Sequence, residues 1–228
     1  MSEVHSERTR AAIYNEQFGE EIVPIVRPTW RQFAVFVSDA SISMKDPYGD
    51  GEGAKADAVA AAIHGTLSDL HKSSMKESFH YASVTFHDKA RTAVAATEVA
   101  KFSPETPKAQ FDPTASGVGG TEIHTGLNEA RAIATSFVGD TSSGLPSSAV
   151  ILLLSDGECY SPDATVRAAA ELKELGFTVA CVLFSDGMKG EATLQACASG
   201  ANFYLRTYDA AAVRDFFNKT IKSTVGKR

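Results

Sequence analysis

The sequence predicts an α/β fold: a doubly wound, mostly parallel sheet of about six strands, with helices on both faces. Two observations carry that expectation. From residue 32 onward, short apolar runs alternate with stretches whose apolar residues recur at helical spacing. Several of the runs, "AVILLL" among them, are apolar at nearly every position, which a strand requires only when both of its faces are covered.

Residues 1–30 read as a polar extension ahead of a domain over 31–228; it ends in "IVPIVRPTW", whose prolines discourage regular structure. Phe33–Val37 is the first strand. A helix over 55–71 follows, with Val59, Ile63, Leu67 and Leu70 on one face. After the strand Tyr81–Phe86, only "HDKAR" precedes a weaker run at Thr92–Ala95. That is too little chain for a crossover, so a short antiparallel strand at a sheet edge is expected. Residues 103–120, "SPETPKAQFDPTASGVGG", form a long loop, of the kind that is functional or disordered. The helix 122–137 carries Ile123, Leu127, Ala130 and Ala134 at helical spacing, and Val150–Leu154 is the next strand. "SPDATVRAAAELKELG" marks its own ends, with Ser161 as N-cap, Pro162 at the first helical position and Gly176 just past the last. Strands Phe177–Phe184 and Phe203–Arg206 come next, then a last helix capped by Asp209.

Bulk properties narrow the function. A net charge of −6 with no basic face argues against nucleic-acid binding. The longest apolar runs are strand-length, so no membrane span is expected, and "MSEVHSERTRAAIYNEQFGEE" lacks the apolar core of a signal peptide. The three cysteines show no CxxC or metal-finger spacing and fit a reducing compartment. A cytoplasmic location is the expectation. Cys181 and Cys197 read as small core residues, and so does Cys159, although it stands nearer to the polar segments described next.

In "VFVSDASISMKD", Asp39, Ser41 and Ser43 sit two apart directly after an apolar strand. In a doubly wound sheet, ligands bind outside the carboxyl ends of the strands, which is where this loop lies. The strand "AVILLLSDGE" likewise ends in Asp156, and "GVGGTEIHTGL" brings Thr121 to the mouth of a helix. Two carboxylates and three hydroxyls converging on one sheet edge are poorly suited to acid–base work and well suited to a hard cation. Mg²⁺ prefers octahedral oxygens at about 2.1 Å and keeps several waters. Two aspartates balance a divalent ion and leave no surplus negative charge to repel an incoming carboxylate.

"VSDASISM", "GVGGTEIHTGLNEA" and "ILLLSDGE", in that order, resemble the von Willebrand factor A domain over about residues 32–222. The resemblance implies a metal-ion-dependent adhesion site built from DxSxS, a threonine and an aspartate, here Asp39, Ser41, Ser43, Thr121 and Asp156. It implies Mg²⁺ or Mn²⁺ as the ion and protein–protein interaction as the role, with a partner Asp or Glu completing the coordination. Cytoplasmic relatives in bacteria and archaea accompany AAA+ ATPases, kinases or other multi-protein systems. Bacterial members usually have glycine between the two serines, where this chain has Ile42; that reads as a packing or rim difference.

His87, His124 and Glu158 stand close enough in sequence to be rim residues touching a ligand, or plain solvated loop residues. A second functional reading is a metal-assisted phosphoester hydrolase with His87 or His124 as acid or base. Against it, the chain has no GxGxxG, P-loop or GxSxG motif. A third is a metal-free structural subunit of a larger assembly. The expectation is a binding module and not an enzyme.

Overall fold

The computed structural model describes residues 28–48 and 53–225, together with two short antiparallel strands, Ile13–Tyr14 and Glu21–Ile22. The expected 1–30 extension therefore falls largely outside the described residues. The domain runs β1 (Arg31–Asp39), α1 (Lys55–His71), β2 (Phe79–Phe86), β3 (Ala90–Glu98), α2 (Ile123–Gly139), β4 (Ser147–Ser155), α3 (Pro162–Glu174), β5 (Thr178–Phe184), α4 (Glu191–Cys197), β6 (Tyr204–Thr207) and α5 (Ala210–Ser223). These six strands form one sheet in the order β3-β2-β1-β4-β5-β6. All neighbours are parallel except β2 and β3.

Strand periodicity decides which layer each side chain joins. Along β1, Ala34 and Phe36 pack with Ile63 and Leu67 of α1 and Phe217 of α5. Phe33, Val35 and Val37 face the other way, toward Ile123 and Leu127 of α2 and Leu172 of α3. Every position of β1 from Gln32 to Asp39 is buried, as the continuous apolar run requires. Gly126 lets α2 approach closely: a Cβ there would stand 2.7 Å from Phe86 Cδ1 and 2.9 Å from Val37 Cγ1.

The edge strand is antiparallel, as expected, but not short. β3 spans nine residues and pairs with β2 from Phe86↔Ala90 to His80↔Glu98, across two register irregularities. Its small, half-exposed side chains, "ARTAVAATE", hide its length from an apolar pattern, because pairing with β2 sets its extent more than burial does. Ser161 stands at the start of α3 without a side-chain cap hydrogen bond, leaving Pro162 as the effective start signal. Asp209 does cap α5, accepting from the Ala211 N–H at 2.8 Å. The 103–120 loop is folded: it forms two 3-10 turns, and Phe111 is buried beside Phe102 and Tyr81.

The strand order fixes where a site can form. From β1 the chain moves outward to β2 and β3, then returns to β4 on the other side of β1 and continues to β6. Between the carboxyl ends of β1 and β4 the two connections diverge and open a crevice.

Candidate cation site

Asp39 closes β1 and is fully buried. One of its oxygens accepts the Ser41 N–H at 2.7 Å and the other the Ser155 hydroxyl at 2.6 Å. Both donors are neutral, and no cationic side chain among the described residues contacts this carboxylate. Burial pushes its acid up to about 6, against the hydrogen bonds from Ser155 and Ser41 that favour the ionised form. Two residues on, the Ser41 and Ser43 hydroxyls lie 3.1 Å apart, and Ser43 donates to Asp156 Oδ1 at 2.9 Å. The alternation read in the sequence thus joins the β1 loop to the end of β4.

Thr121 reaches the same place through its loop. The Ile42 N–H donates to the Gly119 carbonyl at 3.2 Å, and a parallel bridge pairs Ser41 with Gly119. On the far side of the loop, the Tyr160 N–H donates to the Thr121 carbonyl at 3.0 Å. Thr121 is buried between these two attachments. The structure therefore gathers Asp39, Ser41, Ser43 and Asp156 in one hydrogen-bonded chain and lays the Thr121 segment against it. Ile42 begins a 3-10 turn with no left-handed backbone and is 65% exposed, so it belongs to the rim and not to the packing.

The three rim candidates fare differently. His87 Nδ1 accepts the Asp88 N–H at 2.7 Å. His124 Nδ1 is buried 3.2 Å from Glu122 Oε2, and neither atom finds a hydrogen-bond partner. Glu158 is exposed and lines a cleft of about 240 Å³ with Cys159, Pro162 and Met188. Among the described residues, no side-chain hydrogen bond joins any of the three to the oxygen cluster.

Three further residues belong to the site. Lys55, the first residue of α1, places its Nζ 2.6 Å from Asp156 Oδ2 and 4.0 Å from Asp46 Oδ2. Burial pulls its ammonium down, but the Asp156 carboxylate outweighs that and leaves it raised. A cation at a helix N-terminus opposes the helix dipole, and that was the one signal in the sequence that Lys55 serves a partner elsewhere. Ser155 holds Asp39 from the adjacent strand, and Asp88 accepts the Gly120 N–H at 3.1 Å, steadying the Thr121 loop. Nothing local in the sequence distinguishes either from an ordinary turn residue.

Residues 34–219 match the von Willebrand factor type A domain. The chain belongs to this family. Solved structures with the same fold include the pilus adhesin SpaC of Lactobacillus rhamnosus GG, at 17% identity and a TM-score of 0.68 over 85% of this chain and 30% of that one. A structure of proximal thread matrix protein 1 from the mussel byssus, described as having a zinc-occupied metal-ion-dependent adhesion motif, is 19% identical with a TM-score of 0.62, over 86% of this chain and 46% of that one. The domain of the type V pilus tip protein Mfa5 of Porphyromonas gingivalis gives 14% identity and a TM-score of 0.64, over 89% of this chain and 98% of that one. At such identities the likeness is one of fold. The chain spans less than half the length of SpaC or the mussel protein. No curated protein matches it.

The residues present fit a divalent cation. A fully buried carboxylate held only by neutral donors is costly unless a positive charge lies beside it, and the cluster offers only hard oxygen donors. Asp39 and Asp156 outnumber the Lys55 ammonium, which Asp46 also approaches, so the site carries a net negative charge that a divalent ion would offset.

Proposed function

We propose that this domain is a metal-dependent protein-interaction module, in which Asp39, Ser41, Ser43, Thr121 and Asp156 hold a divalent cation that captures an Asp or Glu of a partner protein. The buried Asp39 carboxylate, without a cationic contact among the described residues, carries the reading. An all-oxygen donor set favours Mg²⁺ or Mn²⁺ over zinc, which prefers nitrogen and sulfur. Bound there, the ion supplies an open coordination position for a carboxylate. The chain's own residues do the rest: Ser155 and the Ser41 N–H fix the rotamer of Asp39, Ser43 couples the two aspartates, and Lys55 shifts the loaded site toward net positive charge. Three free, buried cysteines support a reducing, cytoplasmic setting.

A hydrolase reading would need His87 or His124 aimed at the bound ion. His87 Nδ1 instead faces Asp88 beside it, and His124 Nδ1, in the first turn of α2, faces Glu122 at the start of that helix, which favours binding over catalysis. The test is calorimetric titration of Mg²⁺, Mn²⁺ and Zn²⁺ into chelator-treated protein, beside Asp39→Asn. Saturable Mg²⁺ binding lost in the variant is the expected result. Failure of all three ions to bind the wild type would overturn the reading and leave a structural subunit.

A further inference from the structure

Among the described residues, four large hydrophobic side chains are exposed: Ile42 at 65%, Tyr160 at 72%, Met188 at 69% and Leu175 at 50%. Leu175 follows α3 and stands just before β5 begins, at the opposite end of the sheet. The other three share the carboxyl edge. Ile42 leaves β1 between the two serines. Tyr160 follows β4 and turns its ring over the Thr121 loop, where a Cβ on Gly120 would stand 2.5 Å from it. Met188 follows β5, and its loop is locked to the Asp156 loop at Gly190. That residue has φ +78°, and a Cβ there would stand 2.2 Å from the Gly157 carbonyl oxygen. Because β1, β4 and β5 are neighbours in that order, the three side chains form a collar beginning above the cation site and running to one side of it.

We infer that this collar selects the partner: the site takes an extended acidic segment of another protein whose carboxylate is flanked by apolar side chains. The inference rests on the metal-dependent reading above. The bound cation, with the Lys55 ammonium beside it, places the carboxylate, while Ile42, Tyr160 and Met188 stand exposed to one side, with Glu158 lining the Met188 cleft. Strand spacing then sets the register. The crevice between β1 and β4 lies about 7 Å from the line of β5, since strands are about 4.8 Å apart. An extended chain covers about that distance in two residues. A carboxylate at one position and an apolar side chain two residues away on the same face would therefore meet the ion and Met188 together, with Ile42 and Tyr160 closing on the residues beside the carboxylate. Exposed apolar side chains scattered singly are ordinary; three of four gathered around one charged centre are what an interaction surface looks like.

The experiment is selection of a random displayed heptapeptide library on the full chain, once in Mg²⁺ and once in chelator, followed by titration of a synthesised winner. Magnesium-dependent winners should carry Asp or Glu with an apolar residue two positions away. Met188→Ser should weaken the winner roughly tenfold while Mg²⁺ affinity by calorimetry stays unchanged, and Tyr160→Ser should weaken the winner at least as much. Winners that carry Asp or Glu without an apolar preference, or that bind the variants equally well, would overturn the collar and leave the metal reading standing. Absence of winners while Mg²⁺ binds would also overturn it. Magnesium-dependent self-association abolished by Met188→Ser would seat a second copy there and overturn the assignment to another protein. If Mg²⁺ fails to bind the wild type, the underlying reading falls first, and calorimetry separates that outcome from the others.

Discussion

Lys55 Nζ and Asp156 Oδ2 are 2.6 Å apart, although the two residues are 101 positions apart in the chain. The pair joins the first turn of α1 to the end of β4, so a tethered ammonium already serves one of the two carboxylates proposed to hold a cation. Its presence has opposite consequences for the two binding events. It repels an incoming divalent ion and attracts the acidic group that would follow.

Lys55→Met keeps the length and apolar stem of the side chain and removes its charge. Mg²⁺ should bind this variant more tightly, on the order of tenfold, because one repulsive charge beside the site is gone. An acidic peptide should bind the loaded variant more weakly. Without metal, the variant should melt below the wild type, since Asp156 is then buried without its cation. Calorimetry and thermal melts in chelator and in Mg²⁺ read all three, and a weaker Mg²⁺ affinity would show that Lys55 supports the ion.

Asp39→Asn separates function from stability. Asparagine can still accept the Ser41 N–H and can donate to Ser155, so the local bonds survive while the buried charge does not. In chelator the variant should be more stable than the wild type by about 1 kcal/mol, seen as a higher urea midpoint with an unchanged slope. Mg²⁺ should raise the melting temperature of the wild type and leave the variant where it is. A variant less stable than the metal-free wild type would mean that the carboxylate is already balanced.

The fold, and the meeting of Asp39, Ser41, Ser43 and Asp156 at one sheet edge, were legible because both are written in local patterns. β1, β4 and β5 are continuous apolar runs, and each ligand candidate stands directly after a strand or before a helix. Ser155, Asp88 and Lys55 were not legible as site residues. What each does depends on a partner brought close only by the sheet: Asp39 for Ser155, Gly120 for Asp88 and Asp156 for Lys55. β3 was underestimated for a related reason, since its length is set by its hydrogen bonds to β2. Ile42 shows the converse: the sequence identified the departure from glycine, but only its exposure separated rim from packing.

Gly126→Ala should loosen the packing that places the Thr121 loop. The new methyl would meet Phe86 and Val37, both fully buried and unable to move aside. Overpacking of this kind costs about 1–3 kcal/mol, against a gain of roughly 0.5–1 kcal/mol from replacing glycine within a helix. The balance is a loss of about 1 kcal/mol. Gly139→Ala, at the end of the same helix with nothing within 4 Å of its added methyl, should be neutral or slightly stabilising. Urea unfolding of both variants measures the difference, and equal midpoints would show that α2 can shift outward.

Acid should loosen the contact between α1 and α5. Asp69 on α1 accepts two hydrogen bonds from Arg214 of α5, at 2.7 and 2.5 Å, and a third from Asn218 at 2.8 Å. The Arg214 guanidinium holds the Asp69 carboxyl below its ordinary value of 3.8, with burial opposing and Asn218 reinforcing the shift. A depressed acid binds fewer protons folded than unfolded, so its contribution is complete above the unfolded value and fades as pH falls through the folded one. The pair is only part-buried, with solvent reaching the Arg214 guanidinium, so screening holds the whole clamp to about 1 kcal/mol. Asp69→Asn should therefore lower the urea midpoint at pH 7, and the gap to the wild type should begin to close only as pH falls below about 3.8. A difference between the two that persists undiminished at lower pH would locate the effect in packing between α1 and α5 and not in the charge.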